Sequence, residues 1–183
     1  MDRFLSTTRL RLRAPQPGDA EFAFERWARD IDVLRYLGWE PHAEREQTRR
    51  QLDWDIARWT KRSAYTWLLL PHGDRGPVGQ VQLLPQSFEA PAHHLRLGFL
   101  LARSHQRRGL MREALAALLE HAFAHPHVWR IDALADVENT ASQALLERLG
   151  LRREGRLARH TLHPNVSALP RDVWVYAAVR EAV

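Results

Sequence analysis

The residues best suited to chemistry are gathered in Ser104-His105-Gln106-Arg107-Arg108-Gly109-Leu110-Met111, a basic stretch containing one glycine. It follows an apolar, strand-like run at 95–102 and leads into residues with helical spacing. Met111, Leu115, Leu118 and Ala122 recur at intervals of three and four, as on a helix with one buried face. A turn between a strand and a helix is suited to binding phosphate. The first helical turn offers free N–H groups and the positive end of the helix dipole, and Gly109 lets the backbone come close to a ligand. The chain has neither GxxxxGK followed by Ser or Thr nor GxGxxG, so an NTPase phosphate loop and a dinucleotide-binding turn are both poorly supported.

A second polar group, Asn139-Thr140-Ala141-Ser142, stands at the start of another helical pattern, in which Ala141, Leu145 and Leu149 share a side and Gly150 follows as a C-terminal cap. His121, His125 and His127 are loosely spaced like metal ligands. They lie near a helix C-terminus without acidic neighbours, where a dipole and solvent role is expected and no metal.

These groups must be positioned by the rest of the chain. Residues 8–13 alternate at period two as a first strand, and Pro15-x-Pro17-Gly18-Asp19 ends it, with Asp19 placed to cap a helix through Phe22, Phe24, Trp27 and Ala28. A second helix is expected over 42–62, with Leu52, Ile56 and Trp59 on one face and Trp54 displaced from it. Strands follow at 65–70, 78–84, 95–101, 129–135, 152–162 and 172–179. A mixed α/β single domain spanning 1–183 is the expected architecture. Five tryptophans fall between Trp27 and Trp67. Most suit a core, whereas Trp39, in a turn, and Trp54, off the apolar stripe, suit an exposed binding wall.

Composition narrows the function. With no cysteine, disulfides, thiolate catalysis and Cys-ligated zinc are excluded. No apolar run approaches bilayer-spanning length and the start has no leader-like apolar stretch, so no membrane is expected and the cytoplasm is the expected location. The formal charge is +5, but the arginines are scattered among acids, which weighs against nucleic acid as the main partner.

Gln106-x-x-Gly109-x-Met111 resembles the acetyl-CoA pyrophosphate turn, Q/R-x-x-G-x-G/A, of the GCN5-related N-acetyltransferases (GNAT). The continuation Gly109-Leu110-Met111-Arg112-Glu113-Ala114-Leu115, the Asn139-x-x-Ser142 pair, Leu149-Gly150-Leu151 with Glu154-Gly155, and Asp172-Val173-Trp174-Val175-Tyr176 are similar to the branch containing the ribosomal-protein N-terminal acetyltransferases. The resemblance implies a mostly antiparallel sheet of about seven strands, splayed in the middle, with about four helices. It implies acetyl transfer from acetyl-CoA, by direct attack, to a protein N-terminal amine or a small amine. In this reading the backbone amides of Gln106, Arg107, Arg108, Gly109, Leu110 and Met111 lie under the pyrophosphate. Phe99 and Leu100 pair with the pantetheine arm, and Asn139 reaches the cofactor. Ser142 replaces the usual tyrosine as proton donor to the thiolate, while Trp39 and Trp54 form the acceptor wall. Dimers are common in the family.

Two departures stand out. The tyrosine position is Leu146, and the strand position that often carries a basic glutamate is Arg96, which cannot accept a proton at neutral pH. Glu89, His93 and His94 stand just upstream as water-mediated alternatives, and the base is left unassigned. An acyl-CoA-binding protein without catalysis is the alternative that these departures raise.

Overall fold

A computed structural model describes residues 1–87 and 91–181; Glu89 lies outside the described residues. The N-terminal hairpin consists of β1 (Phe4–Ser6) and β2 (Leu10–Arg13). Three longer antiparallel strands continue from it, β3 (Tyr65–Pro71), β4 (Gly79–Pro85) and β5 (His94–Leu101). After these come β6 (Arg130–Asp136), β7 (Arg152–Thr161) and β8 (Arg171–Val179). All eight join one sheet in the order β1-β2-β3-β4-β5-β6-β8-β7. The extra strand relative to expectation is β1, whose three residues carry too little pattern to be read from sequence.

Both faces of the sheet are covered, which explains why β3 is apolar at nearly every position rather than alternating. Leu68 and Leu70 pack with Trp27, Leu34 and Leu52, in the layer formed by α1 (Ala20–Ala23), α2 (Ile31–Leu34) and α3 (Arg45–Thr60). Trp67 and Leu69 pack on the other side, with α4 (Leu110–Ala124) and α5 (Thr140–Arg148). The expected face of α4 is buried, and Leu115 and Leu118 have no exposed surface. Truncating either to alanine costs about 2–5 kcal/mol. Past α1 the chain widens into a π-helical turn over Phe24–Ala28, which carries Trp27 into the core. Asp19 does not cap α1. Its carboxylate instead accepts from both terminal nitrogens of Arg13, at 2.7 and 2.6 Å, and from the Gln16 amide, at 2.7 Å.

The sheet opens in the middle. β5 and β6 are the only parallel neighbours among the described strands, and they pair over just His94–Arg130, Leu95–Ile131 and Arg96–Asp132. Beyond Arg96, β5 is bonded to β4 on one side and, among the described residues, has no strand on the other.

Candidate functional site

The open edge of β5 runs into the basic turn. A 3-10 turn at Arg103–His105 is followed by Gln106, then by Arg107 at φ +60° and Gly109 at φ +74°, which leads directly into α4. An arginine in the left-handed region costs on the order of 1–2 kcal/mol, and such local strain gathers at functional sites. Left-handed residues alternating with right-handed ones curl the chain so that successive N–H groups face one concavity, a shape that binds anions. The side chains of Leu110 and Met111 are buried, so only their backbone faces outward, whereas Arg107 and Arg108 are exposed. Gln106 Nε2 donates to the Leu101 carbonyl at 2.9 Å and fastens the turn to the end of β5.

Glu113 would oppose an anion at this helix start, but it is held by the N-terminal hairpin. Its carboxylate accepts from Thr7 Oγ1 at 2.6 Å, from the Arg9 amide at 2.8 Å and from Arg9 Nε at 2.6 Å. Burial acts to raise its pKa, but these donors together outweigh burial and hold it below the ordinary value. Arg9 also donates to the Arg108 carbonyl at 2.9 Å. Beside the turn lies an open cavity of about 600 Å³ bordered by Arg9, Arg26, Arg75, Arg108, His72 and His105. The acid there, Asp74, is paired with Arg26 at 2.8 Å, and that hydrogen bond does most to lower its pKa to about 2. The surroundings of the turn are strongly cationic.

The side chains of Phe99 and Leu100 point to opposite faces, into the α4 core and the α1–α3 core respectively. Only the β5 backbone is therefore offered at the opening. Arg96 is accounted for by a buried partner: its Nε and Nη2 donate to Asp132 Oδ1 and Oδ2 at 2.9 and 2.8 Å, clamping the last paired register of β5 and β6. Burial raises the Asp132 pKa, but Arg96 and His94 together outweigh it and the net shift is downward. His94 Nε2 lies 3.1 Å from the same carboxylate, and the His93 carbonyl accepts from the Trp129 and Arg130 amides at 2.9 and 3.1 Å. Both histidines thus sit at the closed end of the splay rather than at its opening.

On the other side of the opening, Asn139 caps α5, with Oδ1 accepting from the Ser142 amide at 3.2 Å. The Ser142 hydroxyl is partly exposed and has no protein partner among the described residues. Leu146 is fully buried in the α4-side core. Asp136, at the end of β6, accepts from Arg171 Nε and Nη2 at 2.6 and 3.0 Å and from the Glu138 amide at 2.9 Å.

Trp39 and Trp54 are brought together. They line one cavity of about 200 Å³ with Trp27, His42, Gln80, Gln82 and Leu84. Trp54 is 54% exposed, with Arg58 stacked 4.2 Å from its ring centre. Gln80, Gln82 and Leu84 pair across the sheet with Leu100, Gly98 and Arg96, so the cavity lies on the same sheet face as the clamp and beside the open half of β5. Gln82 Nε2 reaches buried Asp55 at 3.3 Å and Thr66 Oγ1 at 3.0 Å. Burial raises the Asp55 pKa, partly offset by hydrogen bonds from Gln51 and Thr66. Sequence reading missed Gln80 and Gln82, although polar residues alternating through an otherwise apolar strand were a visible signal.

An open strand edge running into a cationic turn with left-handed residues, with a cavity alongside, is an arrangement suited to an extended, phosphorylated ligand beside a second one. Residues 9–152 match the Acetyltransferase (GNAT) domain family, and the chain belongs to it. Over 179 residues it is 28% identical to the uncharacterized N-acetyltransferase YoaA of Bacillus subtilis (strain 168), covering 96% of each chain. Its fold is shared with the ribosomal L7/L12 α-N-protein acetyltransferase RimL in complex with coenzyme A, at a TM-score of 0.84 and 22% identity over 96% of this chain and 97% of that one. The microcin C7 self-immunity acetyltransferase MccE, in complex with acetyl-CoA and AMP, has the same fold, at a TM-score of 0.81 and 17% identity over 95% and 94% of the two chains. The protein is an acetyltransferase of this family, with the mixed α/β fold and the splayed sheet that its motifs imply.

Proposed function

We propose that the protein transfers an acetyl group from acetyl-CoA to a primary amine by direct attack, the acceptor being a protein N-terminus or a small amine. The observation that carries this reading is the unpaired half of β5 leading, through the 3-10 turn at Arg103–His105, into the turn where Arg107 and Gly109 are left-handed. The amides of residues 106–111 would hold the pyrophosphate, with charge added by Arg107 and Arg108. The backbone at Phe99 and Leu100 would pair with the pantetheine amides as an added strand does, and an N–H on this edge would stabilise the thioester oxygen as charge develops. Ser142, on the facing helix start, would donate a proton to the departing sulfur.

The cavity under Trp39 and Trp54 opens on the acceptor side of β5 and would seat the body of the amine. The two departures from the family pattern do not argue for lost catalysis. Arg96 serves as the clamp to Asp132, and Leu146 fills the core. The test is calorimetric titration with acetyl-CoA, followed by thiol release with glycinamide, tryptamine and peptides beginning with serine or alanine. Micromolar binding with turnover of one of these amines is expected. Failure of the folded protein to bind acetyl-CoA would sink the reading.

A further inference from the structure

The amine must lose protons to react, and neither Arg96 nor the two histidines at the closed end of the splay is placed to take one. Besides His42 and Asp55 at the acceptor cavity, a further titratable group on this side is His163, beside Asp136 at the end of β6. His163, in the loop between β7 and β8, is 5% exposed, and among the described residues it alone has both ring nitrogens buried without a well-formed hydrogen bond, the Leu37 backbone and the Asp136 carboxylate being its polar neighbours. A buried polar group left unpaired in this way calls for a functional explanation or a bridging water.

Its position is fixed from three sides. The His163 carbonyl accepts from the Val166 and Ser167 amides at 2.8 and 3.0 Å, and Asn165 Nδ2 donates to the Leu34 and Trp39 carbonyls, both at 2.8 Å. The loop is thereby pinned to the segment that carries Trp39, part of the acceptor wall. Tyr36 meets the ring edge-on, with centroids 6.1 Å apart, and Nε2 lies 3.6 Å from Asp136 Oδ2. Asp132 and Asp136 alternate along β6 with Ile131, Ala133 and Ala135, which face the α4 core. The two acids therefore point to the acceptor side. Asp136 lies just before Asn139 and Ser142 in the chain. His163 is thus tied to the Trp39 wall through Asn165, two residues on, and to the end of β6 that leads to Asn139 and Ser142 through Asp136.

We propose that His163, oriented by Asp136, takes the proton from the acceptor amine through a bridging water. The assignment rests on the acetyl-transfer reading above. The ammonium gives one proton to the imidazole, and its nitrogen attacks the thioester carbon. The C–N bond forms, the C–S bond breaks, and the sulfur receives the second proton lost by nitrogen; the imidazolium then returns its proton to solvent. The groups facing the ring suit this role. Burial lowers the His163 pKa, the Asp136 carboxylate and the Leu37 backbone act to raise it, and Arg171 lowers it, with a net shift downward. Arg171 is itself neutralised by Asp136 and by Glu138 at 3.0 Å. The ring is neutral near physiological pH and able to accept a proton.

The experiment compares wild type with His163→Gln and Asp136→Asn, using the best amine of the glycinamide, tryptamine and peptide panel. His163→Gln is expected to lower kcat/KM by roughly a hundredfold or more and to remove the acid limb of its pH profile, with acetyl-CoA affinity unchanged. Asp136→Asn should shift that limb rather than abolish it. Full activity with an unchanged limb in His163→Gln would overturn the assignment.

A second measurement needs no turnover. The ring nitrogens of ¹⁵N-histidine-labelled protein are followed by NMR, with and without acetyl-CoA and glycinamide. His163 should titrate and should shift when both are present. A ring that stays silent from about pH 5 to 9 and ignores both additions is purely structural, and the proposal fails. Absence of acetyl-CoA binding would fell the underlying reading, whereas binding beside a silent His163 would fell this assignment alone.

Discussion

Gly109→Ala separates the backbone requirement of the turn from its use. Gly109 sits at φ +74° and ψ 1°, in the left-handed region, where an alanine costs about 1–2 kcal/mol. The added β-carbon would lie 3.3 Å from Arg9 Nη2, a half-exposed terminal nitrogen that needs to give by only a few tenths of an ångström while Nε and Nη1 keep Glu113 and the Arg108 carbonyl. Nearly all of the cost is therefore conformational. In a chain of 183 residues each kcal/mol lowers Tm by about 2–4 °C, so a fall of roughly 2–8 °C is expected. Gly150 provides the control, since it stands at φ +84° with nothing within 4 Å of a β-carbon, at the end of α5 and away from the turn. Gly150→Ala should lose a similar amount of stability.

The two variants should part company over acetyl-CoA. If alanine relaxes by rotating the peptide before α4, one N–H leaves the concavity. A hydrogen bond to a charged group is worth about 1.5–3 kcal/mol, so affinity should fall roughly ten- to a hundredfold. Scanning calorimetry and isothermal titration on both variants check this. If Gly109→Ala loses stability yet binds acetyl-CoA as tightly as Gly150→Ala, the turn does not hold the cofactor and the placement is wrong.

Ser142→Ala should lower kcat by about tenfold to a hundredfold while leaving the acetyl-CoA dissociation constant alone, read by thiol release and by titration; unchanged kcat would relieve Ser142 of its role. Stability should fall between pH 7.5 and 5.5. Burial lowers the pKa values of His42, His121, His125 and His163 below the ordinary value, so below about pH 6.5 the unfolded chain binds protons more readily than the folded one. Asp132 and Asp136 have lowered pKa values, and the stability they contribute persists until the pH drops below about 4. A Tm higher at pH 5.5 than at 7.5 would contradict this sign.

The turn and the α5 start were legible because their determinants are local. A left-handed residue before a helix favours glycine, an N-cap favours asparagine, and both signals lie within a few residues of the structure they specify. Exposure of Trp54 followed from helical phase alone. What could not be read depends on pairing across the sheet. Arg96 looked like a missing base because Asp132 is 36 residues away in sequence. His163 lies in a loop without periodicity, and its setting depends on Asp136 at the end of another strand and on Tyr36 beyond α2. Trp39 joins the cavity wall in a segment fixed by Asn165, 126 residues later.

The clamp poses a question that stability alone does not answer. Apolar residues at Arg96 and Asp132 would pack as well, and replacing a buried ion pair by matched hydrophobic residues is often neutral or stabilising. A carboxylate and a guanidinium, however, satisfy each other only at one separation and orientation, so the pair sets where β5 and β6 part. Apolar side chains would let the strands slide or continue together past that point. Arg96→Met alone should cost about 3–5 kcal/mol, because Asp132 is 2% exposed and would be left without its guanidinium. The double change Arg96→Leu with Asp132→Leu should recover most of that loss in urea unfolding, yet bind acetyl-CoA about tenfold more weakly by titration, as the opening loses its fixed width. A double variant that is both stable and fully competent for acetyl-CoA would show that the pair has no part in shaping the opening.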